Sequence, residues 1–289
     1  MAKIKIFVDT AADMPEKVAE EKGIGIIRFM SVFGETAYVT GTELTNEEFY
    51  KKLEEFDGIP TTSQTPYQDM YDTLLQASKE NDTVIYFTIS SKASGQNNTA
   101  KMVVNEILEE DNPDADIRVV DTLRFSAYIS MAAWKASELA EQGLDADEII
   151  EKSLEYMNEW KAYMLVDSLK YLEKGGRITK TTAIVGTLLD IKPVLTINDG
   201  LVEPLDKLRG KKKLYKKLLE LVTENPDFDD EKKEFLVVHS NKEYADSMIE
   251  HIKDEFDVDP VYVFEFGPII GTHAGPGTVA VLAREKKRG

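Results

Sequence analysis

Hydroxyl, imidazole and guanidinium side chains stand beside glycines and prolines in four segments of this sequence, and each segment suits the binding of an anion. In Pro60-Thr61-Thr62-Ser63-Gln64-Thr65-Pro66, Thr62 and Ser63 precede a predicted helix whose first backbone N–H groups lack partners. Their hydroxyls either cap that helix or form a donor-rich rim for an anion. Ser90-Ser91-Lys92-Ala93-Ser94-Gly95 follows a predicted strand, where Ser94 can donate to a carboxylate and Gly95 admits close backbone approach. The same serine is equally a helix cap. Leu172-Glu173-Lys174-Gly175-Gly176-Arg177-Ile178 stops a helix at paired glycines and projects Arg177 from the turn. Arg177 either caps carbonyls or clamps a carboxylate or phosphate with two hydrogen bonds. Between Gly267 and Gly277, four glycines and two prolines in eleven residues predict an irregular loop carrying Thr272 and His273. Of the three histidines, His239 at a strand end and His251 on a charged helix read as structural. His273 is the functional candidate.

These residues allow two kinds of chemistry. Ser94 as nucleophile and His273 as base would make a serine hydrolase, but no Gly-x-Ser-x-Gly elbow is present and no acid is singled out to orient the histidine. Ser94 and Thr62 as donors to a bound anion would make a binding protein. No phosphate-cradling Gly-x-x-x-x-Gly-Lys-Ser/Thr loop occurs, so nucleotide chemistry is not expected on this chain. The absence of cysteine rules out thiolate catalysis and cysteine-bound zinc, and neither a metal nor a cofactor is expected. With 53 acidic and 35 basic side chains, a net charge of −18 argues against nucleic-acid partners and anionic lipid surfaces. One exception is the stretch from Lys207 to Lys217, where seven of eleven residues are basic. It reads as a solvated helix start or as a docking surface for an acidic partner.

The elements that must position these side chains follow from periodicity. Lys5–Val8, Thr83–Ile89 and Ile117–Val120 are short β-rich runs separated by helical patterns that begin at Thr65-Pro66 and span 95–109 and 125–141. Strands alternating with crossover helices predict a parallel, doubly wound sheet, whose strand carboxyl ends are where ligands bind. Gly25–Val32 and Glu35–Val39 flank a Phe-Gly turn, and Thr45–Phe56 reads as a helix. Beyond the helix Asp145–Trp160, strands at 162–166, 193–197, 201–205, 235–239, 261–266 and 278–284 mix a hairpin at Asn198-Asp199-Gly200 with crossovers. A mixed-sheet second α/β domain is therefore expected, with domains at 1–155 and 156–289. The opening residues read as a first strand rather than a signal peptide, and no stretch approaches the ~20 apolar residues of a membrane span. A cytoplasmic protein without stable membrane insertion is the expectation.

Taken in order, Asp9-Thr10-Ala11-Ala12-Asp13, Thr62-Ser63-Gln64, Ser94-Gly95, Gly175-Gly176-Arg177-Ile178 and Gly271-Thr272-His273-Ala274-Gly275-Pro276-Gly277 resemble the DegV family of bacterial lipid-binding proteins. The resemblance spans essentially the whole chain. It implies a two-domain α/β architecture with a long-chain fatty acid buried between or beside the domains. It also implies a non-catalytic subunit that presents the acyl carboxylate to a separate ATP-dependent fatty-acid kinase. On that resemblance Thr62, Ser63, Ser94, Gly95, Thr272 and His273 bind the carboxylate, and Arg177 faces the phosphoryl group or the kinase. A lipid sensor with no kinase would use the same pocket. The chain departs from the family pattern after Gly95, where Gln96-Asn97-Asn98 replaces a threonine and an aromatic residue.

Overall fold

The computed structural model describes residues 3–178, 191–209 and 214–286. In chain order, β1 (Ile4–Asp9) leads through a 3-10 turn to α1 (Glu16–Glu21) and β2 (Gly25–Ile27). Then come β3 (Met30–Phe33), β4 (Thr36–Val39), α2 (Asn46–Glu55), β5 (Thr61–Ser63), α3 (Tyr67–Glu80) and β6 (Thr83–Thr88). Next are α4 (Gln96–Glu106), β7 (Asp116–Asp121), α5 (Ala127–Glu141) and α6 (Ala146–Asn158). The later half holds β8 (Trp160–Leu165), α7 (Lys170–Gly175), β9 (Ile191–Asn198), β10 (Leu201–Arg209) and α8 (Leu214–Thr223). It closes with β11 (Phe235–His239), α9 (Lys242–Phe256), β12 (Tyr262–Glu265), α10 (Pro268–Ala274) and β13 (Val279–Arg284).

The chain forms two compact units: residues 1–45 with 60–158, and residues 46–59 with 159–289. The first unit holds a parallel sheet in the order β2-β1-β6-β7 and a small antiparallel sheet β4-β3-β5. All six residues of β6 are buried, as a central parallel strand covered on both faces must be. Phe7, Met70, Leu74, Val84, Tyr86, Val103 and Ile107 make the core between the sheet and α3 and α4.

The second unit is a six-stranded sheet, β10-β9-β8-β13-β11-β12, in which only β11 and β12 run parallel. Tyr163, Leu218, Val222, Phe235, Val237, Met248 and Val281 fill its core against α8 and α9. The parallel-plus-mixed α/β architecture read from the sequence is the one the chain adopts.

Three local expectations are corrected. The β-rich stretch 25–32 divides into β2 and β3, which belong to different sheets. Thr61–Ser63 is a strand rather than a cap, because it pairs with β3 in the register Ser31↔Thr62. The Gly/Pro-rich stretch expected as a loop contains α10, with Pro268 in its first turn, where a proline lacking an N–H does no harm. Residues 210–213 of the basic run lie outside the described residues.

Candidate functional site

In the first unit the site is built at the carboxyl ends of β1 and β6. Asp9, the last residue of β1, is fully buried and accepts hydrogen bonds from Ala11 N (3.1 Å) and Ile89 N (2.8 Å). It thereby ties the end of β1 to the chain leaving β6. Burial pushes its carboxyl up to about 7, against the two N–H bonds that favour the charged form. The turn that follows folds back on itself: Ala93 and Ser94 both donate their N–H to the Ser90 carbonyl at 3.1 Å. Ser94 is partly exposed, and its Oγ accepts from Gln96 N at 3.3 Å. That bond occupies the first N–H of α4, whose N-cap is Gly95, and leaves the serine O–H available as a donor.

Thr62 and Ser63 alternate across β5, with Thr62 partly buried on the face shared with Ser31 and Ser63 exposed on the other. The segment is fastened to the start of α4. Gln64 Nε2 donates to Thr99 Oγ1 (2.9 Å), and Gln96 accepts from Thr65 N (3.2 Å) while donating to Thr65 Oγ1 (2.8 Å) and the Tyr86 hydroxyl (2.9 Å). A Cβ on Gly95 would sit 2.9 Å from Gln64 Oε1, so this glycine lets the two segments close together. Thr62 and Ser94 thus belong to one cross-linked corner of the fold. Asn97, also fully buried, donates to Thr88 Oγ1 at 2.9 Å.

The second unit carries the other candidates. α7 ends at Gly175, with Gly176 left-handed (φ 69°) closing the turn onto the Glu173 and Leu172 carbonyls. Arg177 NH1 donates to the Gly175 carbonyl, so the guanidinium lies back along this turn. α7 packs on α10, and a Cβ on Gly175 would meet His273 Nδ1 at 2.3 Å. Only glycine permits that approach. Burial, and then the Arg177 charge, lower the His273 pKa to about 4, so the ring is neutral at neutral pH. Thr272 is fully buried and donates to the Pro268 carbonyl (2.7 Å), one turn back in α10. Its hydroxyl proton is committed to the helix.

Sequence reasoning missed Asp9 as a buried anchor and Gln96 and Asn97 as polar groups inside the fold. It also missed Ser31. The alternation Phe29-x-Ser31-x-Phe33 places a serine on a face otherwise apolar, and that signal was available in the sequence. Among the described residues no group of three or more His, Asp or Glu side chains is arranged to hold a metal. No described helix is long and apolar enough to cross a membrane.

A parallel sheet with a hydroxyl-rich corner, and a mixed sheet with a Gly-Gly-Arg turn against a histidine, define a class of two-unit α/β proteins. The family described as "Uncharacterised protein, DegV family" matches residues 3–286, and the chain belongs to that family. It is 34% identical to a Thermotoga maritima protein called fatty acid-binding protein, over 99% of this chain and 100% of that one. The solved structure of DegV, a fatty acid binding protein from Bacillus subtilis, superposes with a TM-score of 0.85 at 29% identity, covering 99% and 100% of the two chains. A stearic acid-binding protein from Eubacterium ventriosum gives a TM-score of 0.87 at 26% identity over 98% of each chain.

Proposed function

We propose that this protein binds a long-chain fatty acid, holds its carboxylate with Thr62 and Ser94, and presents it to a separate ATP-dependent kinase in the cytoplasm. One observation carries the reading. The segments that carry Thr62 and Ser94 are fastened together by the Gln64–Thr99 and Gln96–Thr65 bonds, beside the chain that leaves β6. The strand ends of a parallel sheet are the customary ligand position, and relatives of this chain are named for fatty-acid binding. Ser63 lies on the face of β5 opposite to Thr62, and the Thr272 hydroxyl donates within α10. The resemblance, rather than a distance, gives His273 a part in the head-group site and Arg177 a part facing the phosphoryl group or the kinase.

Energetics support a carrier. Burying each methylene is worth roughly 0.8 kcal/mol, so about fourteen contribute on the order of 11 kcal/mol gross. A hydrogen bond to a carboxylate adds about 1.5–3 kcal/mol. The tail therefore supplies affinity, and the hydroxyls fix where the head group stands. The hydrolase reading fares worse, because the charged group acting on His273 is the Arg177 cation rather than an orienting carboxylate.

Native mass spectrometry of the purified chain, with organic extraction, tests the reading. A stoichiometric fatty acid that is lost in Thr62→Ala/Ser94→Ala is the expected result. An empty protein that takes up no added fatty acid ends the proposal. In a reconstitution with kinase and ATP, Arg177→Ala should lower acyl-phosphate formation more than it lowers lipid binding.

A further inference from the structure

Ser31 lies within β3, fully buried, and alternates with Phe33, which is buried too. Its Oγ has no hydrogen-bond partner among the described residues. A serine hydroxyl is normally paired once buried, because the lost hydration must be replaced. Alanine or valine would fill the same apolar face without that loss, so the hydroxyl is retained at a cost to the folded chain. The register shows what lies beside it. Ser31 is directly opposite Thr62 on β5 and Tyr38 on β4. Opposed residues in an antiparallel pair project to the same side, with Cβ atoms about 4.5–5.5 Å apart.

We infer that Ser31 is a third donor to the ligand head group, its O–H pointing at the carboxylate that Thr62 holds; the inference rests on the fatty-acid reading above. A carboxylate has about four lone-pair sites. Thr62 and Ser94 occupy two of them, so a third donor has an acceptor ready. The ligand class follows from this donor set. A carboxylate accepts all three bonds at once, whereas a fatty alcohol offers one oxygen, without charge, and profits little from the third donor. Because Ser31 is already dehydrated before the ligand arrives, its bond forms without stripping water from the serine, which favours a charged acceptor in this corner.

The test compares delipidated full-length protein with its Ser31→Ala, Ser31→Val and Thr62→Ala variants. Each is titrated with palmitate and with hexadecanol, and each is melted without ligand. Ser31→Ala should weaken palmitate about tenfold or more, the scale of a hydrogen bond to a charged group, and change hexadecanol less than threefold. Unliganded Ser31→Ala and Ser31→Val should melt at the wild-type temperature or above it, because a buried polar group has been removed. A merely structural serine would give the reverse: a lower melting temperature and equal losses for both ligands. That pattern overturns the inference. So does a Ser31→Ala variant that binds palmitate like the wild type while Thr62→Ala does not. A wild-type chain that binds no palmitate overturns the fatty-acid reading itself, and a Ser31 contact along with it.

Discussion

Two buried titratable groups respond to pH in opposite directions. His273 carries a folded-state pKa lowered to about 4, against 6.5 for an unperturbed imidazole. Between those values the unfolded chain binds more protons, so stability present above pH 6.5 is lost as the pH falls toward 4. Asp9 behaves in reverse. Its carboxyl is raised from 3.8 to about 7, so the folded chain binds the extra proton, and stability present below 3.8 is lost as the pH rises to about 7. Urea midpoints between pH 4 and pH 8 should separate the two. His273→Asn should remove the loss on the acid side, and Asp9→Asn should flatten the loss toward neutrality. Identical pH profiles in the wild type and both variants would show that neither group titrates across this range. In function, a neutral His273 can accept or donate one hydrogen bond but offers no charge. The cation that acts on His273 is Arg177.

At the scale of elements, the β5–α3 connection is tied to α4 by two glutamines, Gln64 to Thr99 and Gln96 to Thr65. Gln96 accepts from Thr65 N and donates to Thr65 Oγ1 and the Tyr86 hydroxyl, all three partners being buried. Gln96→Ala would leave these polar groups without that partner, at about 1–3 kcal/mol for each that water cannot reach. The expected outcome is a lower urea midpoint, faster hydrogen exchange over 61–66 and, on the proposed function, weaker fatty-acid binding. Unchanged exchange over 61–66 would mean that the strand is held by β3 alone. The same segment shows where the sequence was legible. β11 has the ends its apolar run predicts, because an unbroken buried run needs little tertiary help. Thr61–Ser63 has no such run. Its three polar residues become a strand only because Ser31 and its neighbours on β3 offer a free edge. α10 hid behind its glycines and proline. Gly271 marks not a break but a close approach, since a Cβ there would meet the Phe49 ring at 2.7 Å. Of the candidate site, the hydroxyls, His273 and Arg177 were visible as residue types beside turns. The buried scaffold of Asp9, Gln96, Asn97 and Ser31 was not, because burial is a property of the fold.

Across the whole molecule, chain order and spatial order part company at α2. Its sequence position falls between β4 and β5 of the first unit, yet residues 46–59 belong to the second. Periodicity located this helix but could not say which sheet would cover its apolar face. Phe49 and Leu53 are buried, the Tyr50 hydroxyl donates to the Phe266 carbonyl at 2.9 Å, and Asn46 donates to Glu265 at 3.0 Å. The helix packs against α10, the element that carries Thr272 and His273. A segment drawn from the first half of the chain thus supports the histidine. Phe49→Ala should cost about 3–5 kcal/mol, the range for emptying a phenylalanine site in a packed core. That loss should be local. Residue-resolved hydrogen exchange should show β11, β13 and α10 losing protection while β1 and β6 keep theirs. Because α10 holds His273 against Gly175, the imidazole resonance should shift in the same variant and titrate closer to the ordinary histidine value. Equal loss of protection in β1 and β6 would mean that α2 stabilises both units together, and an unmoved imidazole would mean that α7 alone fixes the ring.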